Sequence, residues 1–168
     1  MINVFLDLEE TVIDDWFSGI FLNYKINIIK SKIEKFSIEY QKEIAQDKNI
    51  NLILFSAAVC NKEDLKKFEL EFKDILEEKL GFTFNSEFLF SDKSIFSLAR
   101  GCGIRHLPDD TIHDIFQFNI KEEIFNLVAV KNEINILFDD TVKDKIVFED
   151  LDFHNTNNAK TIKIFCHC

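Results

Sequence analysis

Proline occurs once, at Pro108, and glycine four times, at Gly19, Gly81, Gly101 and Gly103. No low-complexity linker or internal repeat divides the chain, so residues 1–168 read as one domain, long enough to bury a core. No run approaches the ~20 apolar residues needed to span a bilayer. No basic segment precedes the N-terminal apolar run, and no signal-peptide pattern is present, which predicts a cytoplasmic protein without a membrane partner. Arginine is scarce: Arg100 and Arg105 stand against eighteen lysines. Acids exceed bases to give a net charge of −10, which argues against nucleic acid as the main partner and leaves room for a local basic site. In the reducing compartment expected for the chain, the four cysteines, Cys60, Cys102, Cys166 and Cys168, read as free thiols. The tail Cys166-His167-Cys168 is spaced too tightly for a structural zinc site and lacks an obvious partner pair, so it reads as a strand end.

What the chain does have is apolar residues (46%) in short runs that end in polar ones. Residues 2–6 lead to Asp7, residues 50–55 to Ser56, and residues 134–138 to Asp139-Asp140. Such runs predict buried strands. Between them lie helical patterns. One is predicted over about 16–46, with Phe17, Phe21, Tyr24 and Ile28 and then Ile33, Phe36, Tyr40 and Ile44 on its apolar face, and a break near Asn27 would make it two helices. A second opens at an Asn61 cap, carries Leu65, Phe68, Phe72, Ile75, Leu76 and Leu80, and ends at Gly81. A third covers about 120–131. Residues 82–90 read as a further strand, 145–148 and 161–166 as two more, and 154–158 as a loop. Alternating strands and helices predict an α/β fold, a three-layer Rossmann-like sandwich with a mainly parallel sheet. In such a sheet neighbouring strand tips converge on one crevice, which places Asp7, Ser56 and Asp139-Asp140 together.

The stretch Asp7-Leu8-Glu9-Glu10-Thr11, with Ser56, a lysine opening a helix and the pair Asp139-Asp140, resembles the haloacid dehalogenase (HAD) superfamily of phosphohydrolases over residues 3 to 140. That family opens with Asp-x-Asp-x-Thr, so Glu9 departs from it. The lysine is assigned to Lys121, which starts the helix directly before the acidic strand, in preference to Lys93. The resemblance implies an Asp7 nucleophile that forms an aspartyl-phosphate, Glu9 as acid and then base, and Lys121 as countercharge. Thr11 and Ser56 would bind the phosphoryl group, and Asp7, the Glu9 carbonyl, Asp139 and Asp140 would hold Mg²⁺. Glutamate is one methylene longer than aspartate, so a binding module without turnover is the alternative. An acidic-site metal nuclease is a weaker one, disfavoured by Ser56, Lys121 and the net acidity.

Arg100 and Arg105 flank Gly101-Cys102-Gly103, with His106 beside them. They read as a clasp on the substrate or as surface side chains. His113 and His154 read as surface residues. Trp16 suits either the pocket mouth or the core, and the nineteen phenylalanines suit the core. The family that the chain resembles varies in a cap over its site. With only a small insert at about 91–119 and no room for a globular cap, the resemblance implies an open site, which in that family goes with a phosphorylated substrate that is bulky or macromolecular.

Overall fold

The computed structural model of the protein describes residues 1–44, 49–59, 62–85, 121–150 and 160–168. The Asn61 cap, residues 86–90 of the strand expected over 82–90, the insert at 91–119 and the 154–158 loop lie outside the described residues, as do Arg100, Arg105, Lys93, His106, His113, His154, Cys60 and Cys102.

The described chain is a mixed α/β fold around a five-stranded, mostly parallel sheet. Its strands are β1 (Ile2–Leu6), β2 (Ile50–Leu54), β3 (Ile134–Asp139), β4 (Lys145–Asp150) and β5 (Lys160–His167), in the order β2-β1-β3-β5-β4. Only β4 runs antiparallel, against β5 at the edge. The helices are α1 (Asn23–Ile44), α2 (Lys62–Phe68), α3 (Asp74–Leu80) and α4 (Lys121–Val128), with a π-helical turn, Glu69–Lys73, joining α2 to α3. Residues 82–85 add a single parallel bridge, Phe84 to Leu52, at the outer side of β2. No helix among the described residues is long and apolar enough to cross a membrane.

Alternation along the strands sorts the core. Ile2, Val4, Leu6, Leu52, Leu54, Ile134, Ile136, Phe138, Ile162 and Ile164 pack with Ile26, Ile29 and Ile33 of α1 and with Phe68, Phe72, Leu76 and Leu80 of the second helical run. The intervening residues Phe5, Ile53, Phe55, Leu137 and Phe165 pack with Ile124 and Phe125 of α4. Phe125 meets Phe5 and Phe165 edge-on at centroid distances of 5.1 and 5.0 Å.

The helix expected from residue 16 starts at Asn23. Residues 9–21 instead form a tight hairpin-like segment, with bridges from Ile13 to Glu9 and to Phe21. Asp14 and Asp15 explain the difference, because their carboxylates take the backbone N–H groups that a helix would need. Asp15 accepts from Phe17 and Ser18, and Asp14 from Asp15 and Ile20, at 2.6–2.9 Å. The apolar face shifts accordingly. Phe17 is 92% and Tyr24 78% exposed, and Ile26 and Ile29 are buried in their place. Trp16 belongs to the core, its ring 5.3 Å from that of Phe72. In the second helical run Ile75 faces outward, whereas Gly81 does end it in a left-handed turn, φ 79°, donating to the Glu77 carbonyl at 2.8 Å.

A polar row crosses this apolar sheet. Three strands open alike, Ile2-Asn3, Ile50-Asn51 and Ile134-Asn135, and the parallel register sets the asparagines side by side, with Lys163 of β5 next in line. All four are buried. Asn51 donates to Asn3 Oδ1 at 3.0 Å, and Asn3 to Glu133 at 2.6 Å. Asn135 donates to the Val130 carbonyl at 3.0 Å and accepts from the Val130 N–H at 2.8 Å, while Lys163 pairs with Glu149 at 2.7 Å. Each amide is thus satisfied, as burial demands.

Candidate active site

Four residues beyond that row, at the C-terminal tips, the same face of the sheet carries Asp7 and Asp139. β1 and β3 are neighbours in register, and the Asp7 N–H continues their ladder to the Phe138 carbonyl at 3.1 Å. The two carboxylates therefore emerge side by side. α4 packs on this face through Ile124 and Phe125, which brings its first residue, Lys121, over the tips. The Lys121 ammonium lies 2.6 Å from Asp7 Oδ1 and 2.8 Å from Asp139 Oδ2, and all three side chains are buried. Thr11, within the turn after β1, donates to Asp7 Oδ2 at 3.1 Å. Thr141 donates its N–H and hydroxyl to Asp139 Oδ1 at 2.8 and 2.7 Å, an Asx turn that fixes this carboxylate.

The charges work against one another. Burial is the largest influence on Asp7 and raises its affinity for a proton, with Asp139 adding to it and Lys121 opposing. Burial also disfavours ionised Asp139, but the Lys121 ammonium and the Thr141 bonds outweigh it and hold this carboxyl below the usual range. Lys121 is penalised by its own burial, yet the two carboxylates keep its pKa above the usual value. Asp140 is pushed up to about 8 by burial, by a hydrogen bond with Glu10, and by the charges of Asp7 and Asp139. Asp7, Asp139 and Asp140 each offer an oxygen within 4.8 Å of the others. The three carboxylates thus form one acidic cluster, two of whose members pair with the Lys121 ammonium.

Among the residues expected at the site, the structure brings together Asp7, Thr11, Lys121, Asp139 and Asp140. Ser56 is buried just past the tip of β2, next to β1, and its hydroxyl oxygen accepts from the Ala58 N–H at 3.2 Å. Glu9 is half-buried in the turn, its backbone bridged to Ile13. Arg100 and Arg105 lie outside the described residues. Three participants were missed. Thr141 had a signal, since Asp-x-Thr after a strand is a turn with a side-chain acceptor. Glu10, in the same turn as Glu9, contributes to raising the pKa of Asp140. Lys25, whose ammonium holds the Glu10 carbonyl, is fifteen residues away and gave no signal. At the tail, Cys166 and Cys168 are free thiols whose pKa values burial pushes up to about 12 and about 11, and the His167 ring contacts the Val142 carbonyl at 3.0 Å.

No protein-family model, curated protein or solved structure significantly matches the chain.

Proposed function

We propose that the protein is a Mg²⁺-dependent phosphohydrolase that works through an aspartyl-phosphate on Asp7. The observation that carries this reading is the buried Lys121 bridging two strand-tip carboxylates, with Asp140 beside them. A lone structural ion pair needs one acid, whereas a nucleophile facing a dianionic phosphoryl group needs both a countercharge and a metal.

One Asp7 oxygen attacks phosphorus, and the bond to the leaving oxygen breaks as that oxygen takes a proton from the Glu9 carboxyl. The Glu9 carboxylate then takes a proton from water as that water attacks phosphorus. Inorganic phosphate departs and Asp7 is regenerated. Lys121 keeps Asp7 ionised and oriented, countering the burial that favours its protonation. Thr11 holds the second Asp7 oxygen, and Ser56 hydrogen-bonds a phosphoryl oxygen. Mg²⁺, bound by Asp7, Asp139, Asp140 and the Glu9 carbonyl, would neutralise phosphoryl charge. Arg100 and Arg105 belong to the substrate side of this proposal.

The finer architecture that fits is a three-layer sandwich with a minimal cap, and the location that fits is the cytoplasm. A lightly covered site suits a phosphorylated substrate that is bulky or macromolecular. A second reading, a metal- or phosphate-binding module without turnover, is favoured by the glutamate at position 9. The test is hydrolysis of a generic aryl phosphate by purified protein with and without Mg²⁺, alongside Asp7→Asn. Mg²⁺-dependent turnover that Asp7→Asn abolishes supports the enzyme. Turnover by Asp7→Asn above a tenth of wild type removes Asp7 as nucleophile, and an inactive wild type that still binds Mg²⁺ supports the module.

A further inference from the structure

The turn that follows Asp7 is held from outside by α1. Glu10 sits at φ 61°, in the left-handed region that a β-carbon disfavours. Its N–H donates to the Ile13 carbonyl at 2.7 Å, and its own carbonyl receives the Lys25 ammonium from the first turn of α1. Its carboxyl meets that of Asp140. Within the turn, the N–H groups of Thr11, Val12 and Ile13 all converge on the Leu8 carbonyl at 2.9–3.2 Å. The Glu10 peptide is therefore the hinge between a tightly wound turn and the acidic cluster, and the cation on its carbonyl is a charge-assisted bond. Without that bond, a glutamate at this position is left with a disfavoured backbone conformation, which favours rotation of the peptide.

We propose that Lys25 is a positioning residue of the site: its ammonium, on the Glu10 carbonyl, holds the left-handed turn that follows Asp7 and fixes Glu9 within it. The kinetic part of this inference rests on the phosphohydrolase reading, and the backbone part does not. The full chain, Lys25→Met and Lys25→Arg would be compared by amide hydrogen exchange, thermal melting and aryl-phosphate kinetics with Mg²⁺. In Lys25→Met, the amides of residues 10–13 are expected to exchange faster while those of β1 and β3 keep their protection. The kcat should fall roughly tenfold to a hundredfold, the scale of a misplacement of about 1 Å, with KM within about twofold. Lys25→Arg, which keeps the charged donor, should recover most of both losses. Unchanged exchange at residues 10–13 in Lys25→Met overturns the proposal, as does an unchanged kcat in an active protein. A fall in melting temperature with uniformly faster exchange also overturns it, because Lys25 would then act only on global stability. If the wild type is inactive, the phosphohydrolase reading fails and the exchange result alone decides the role of Lys25.

Discussion

Replacing Lys121 by methionine would leave Asp7 and Asp139 buried face to face with no cation between them. Breaking a buried pair in this way costs about 3–5 kcal/mol. We expect Lys121→Met to lose that order of stability at pH 7 and part of it at pH 5, where Asp7, already inclined to keep its proton, takes one. Urea denaturation at both pH values measures the difference, and a cost that grows towards pH 5 would contradict the arrangement. In the wild type the shifts act in distinct windows. Asp139, lowered in the fold, contributes stability that is present above the ordinary carboxylate value and lost as pH falls through its lower folded value. Lys121, raised in the fold, contributes below the ordinary lysine value and loses that contribution as pH rises through its higher folded one. Asp140 has the opposite sign from Asp139. With its pKa at about 8, the fold holds a proton that the unfolded chain releases, so stability falls as pH climbs towards 8. Without divalent cations, the urea midpoint should therefore be higher at pH 6 than at pH 8.5, and Asp140→Asn should flatten the slope. An equally steep slope in that variant would show that another group carries it. Glu9→Asp sharpens the choice of function: a phosphatase adapted to glutamate should slow when the side chain is shortened, whereas a decayed one should gain turnover. Aryl-phosphate rates for both forms at saturating Mg²⁺ separate the two. At this scale Asp7, Lys121 and Asp139 were legible because each ends or begins an element. Lys25 was not, since its contact depends on where α1 crosses a turn fifteen residues earlier.

Among the elements, the strands were the most legible, since β1, β2 and β3 are apolar runs whose polar stops mark the sheet's edge. The start of α1 was misread because Phe17, Phe21 and Tyr24 happen to fall at helical spacing. Periodicity reports only which side chains could share a face. It does not register that Asp14 and Asp15 compete for the backbone donors, a conflict that turn-forming side chains win locally. Two glycines mark the ends of such local solutions. At Gly81, φ 79°, an added β-carbon would meet the Lys30 side chain at an ordinary 3.7 Å. Gly81→Ala should cost about 1–2 kcal/mol, the backbone strain alone. Gly19, at φ 63°, adds a collision, because a β-carbon there would lie 2.9 Å from the Phe72 ring. Gly19→Ala should therefore cost more than Gly81→Ala and shift the packing of Phe72 against Trp16, visible as a change in tryptophan fluorescence. Equal melting temperatures for the two variants would mean that the Phe72 ring yields freely.

For the whole molecule, a ligand that binds only the folded state stabilises it by mass action. At a hundredfold excess over Kd the gain is about 2.7 kcal/mol, or about 5–10 °C in Tm for a chain of this size. Millimolar Mg²⁺ should produce a shift of that kind, and Asp139→Ala should remove it. Melting curves that Mg²⁺ leaves unchanged would count against a cation at the three carboxylates. The buried row of Asn51, Asn3, Asn135 and Lys163 bears on the same site from a distance. It lies four residues below the strand tips, about 13 Å away at the usual rise per strand residue. If β1 slid by a single residue against β3, Asn3 would turn into the apolar face under α1 with its amide unpaired, and Asp7 would turn with it, away from Lys121. The asparagines thus act as a register gauge: a misaligned sheet is penalised at one end of the strands for an error that would also part the acidic cluster from Lys121 at the other.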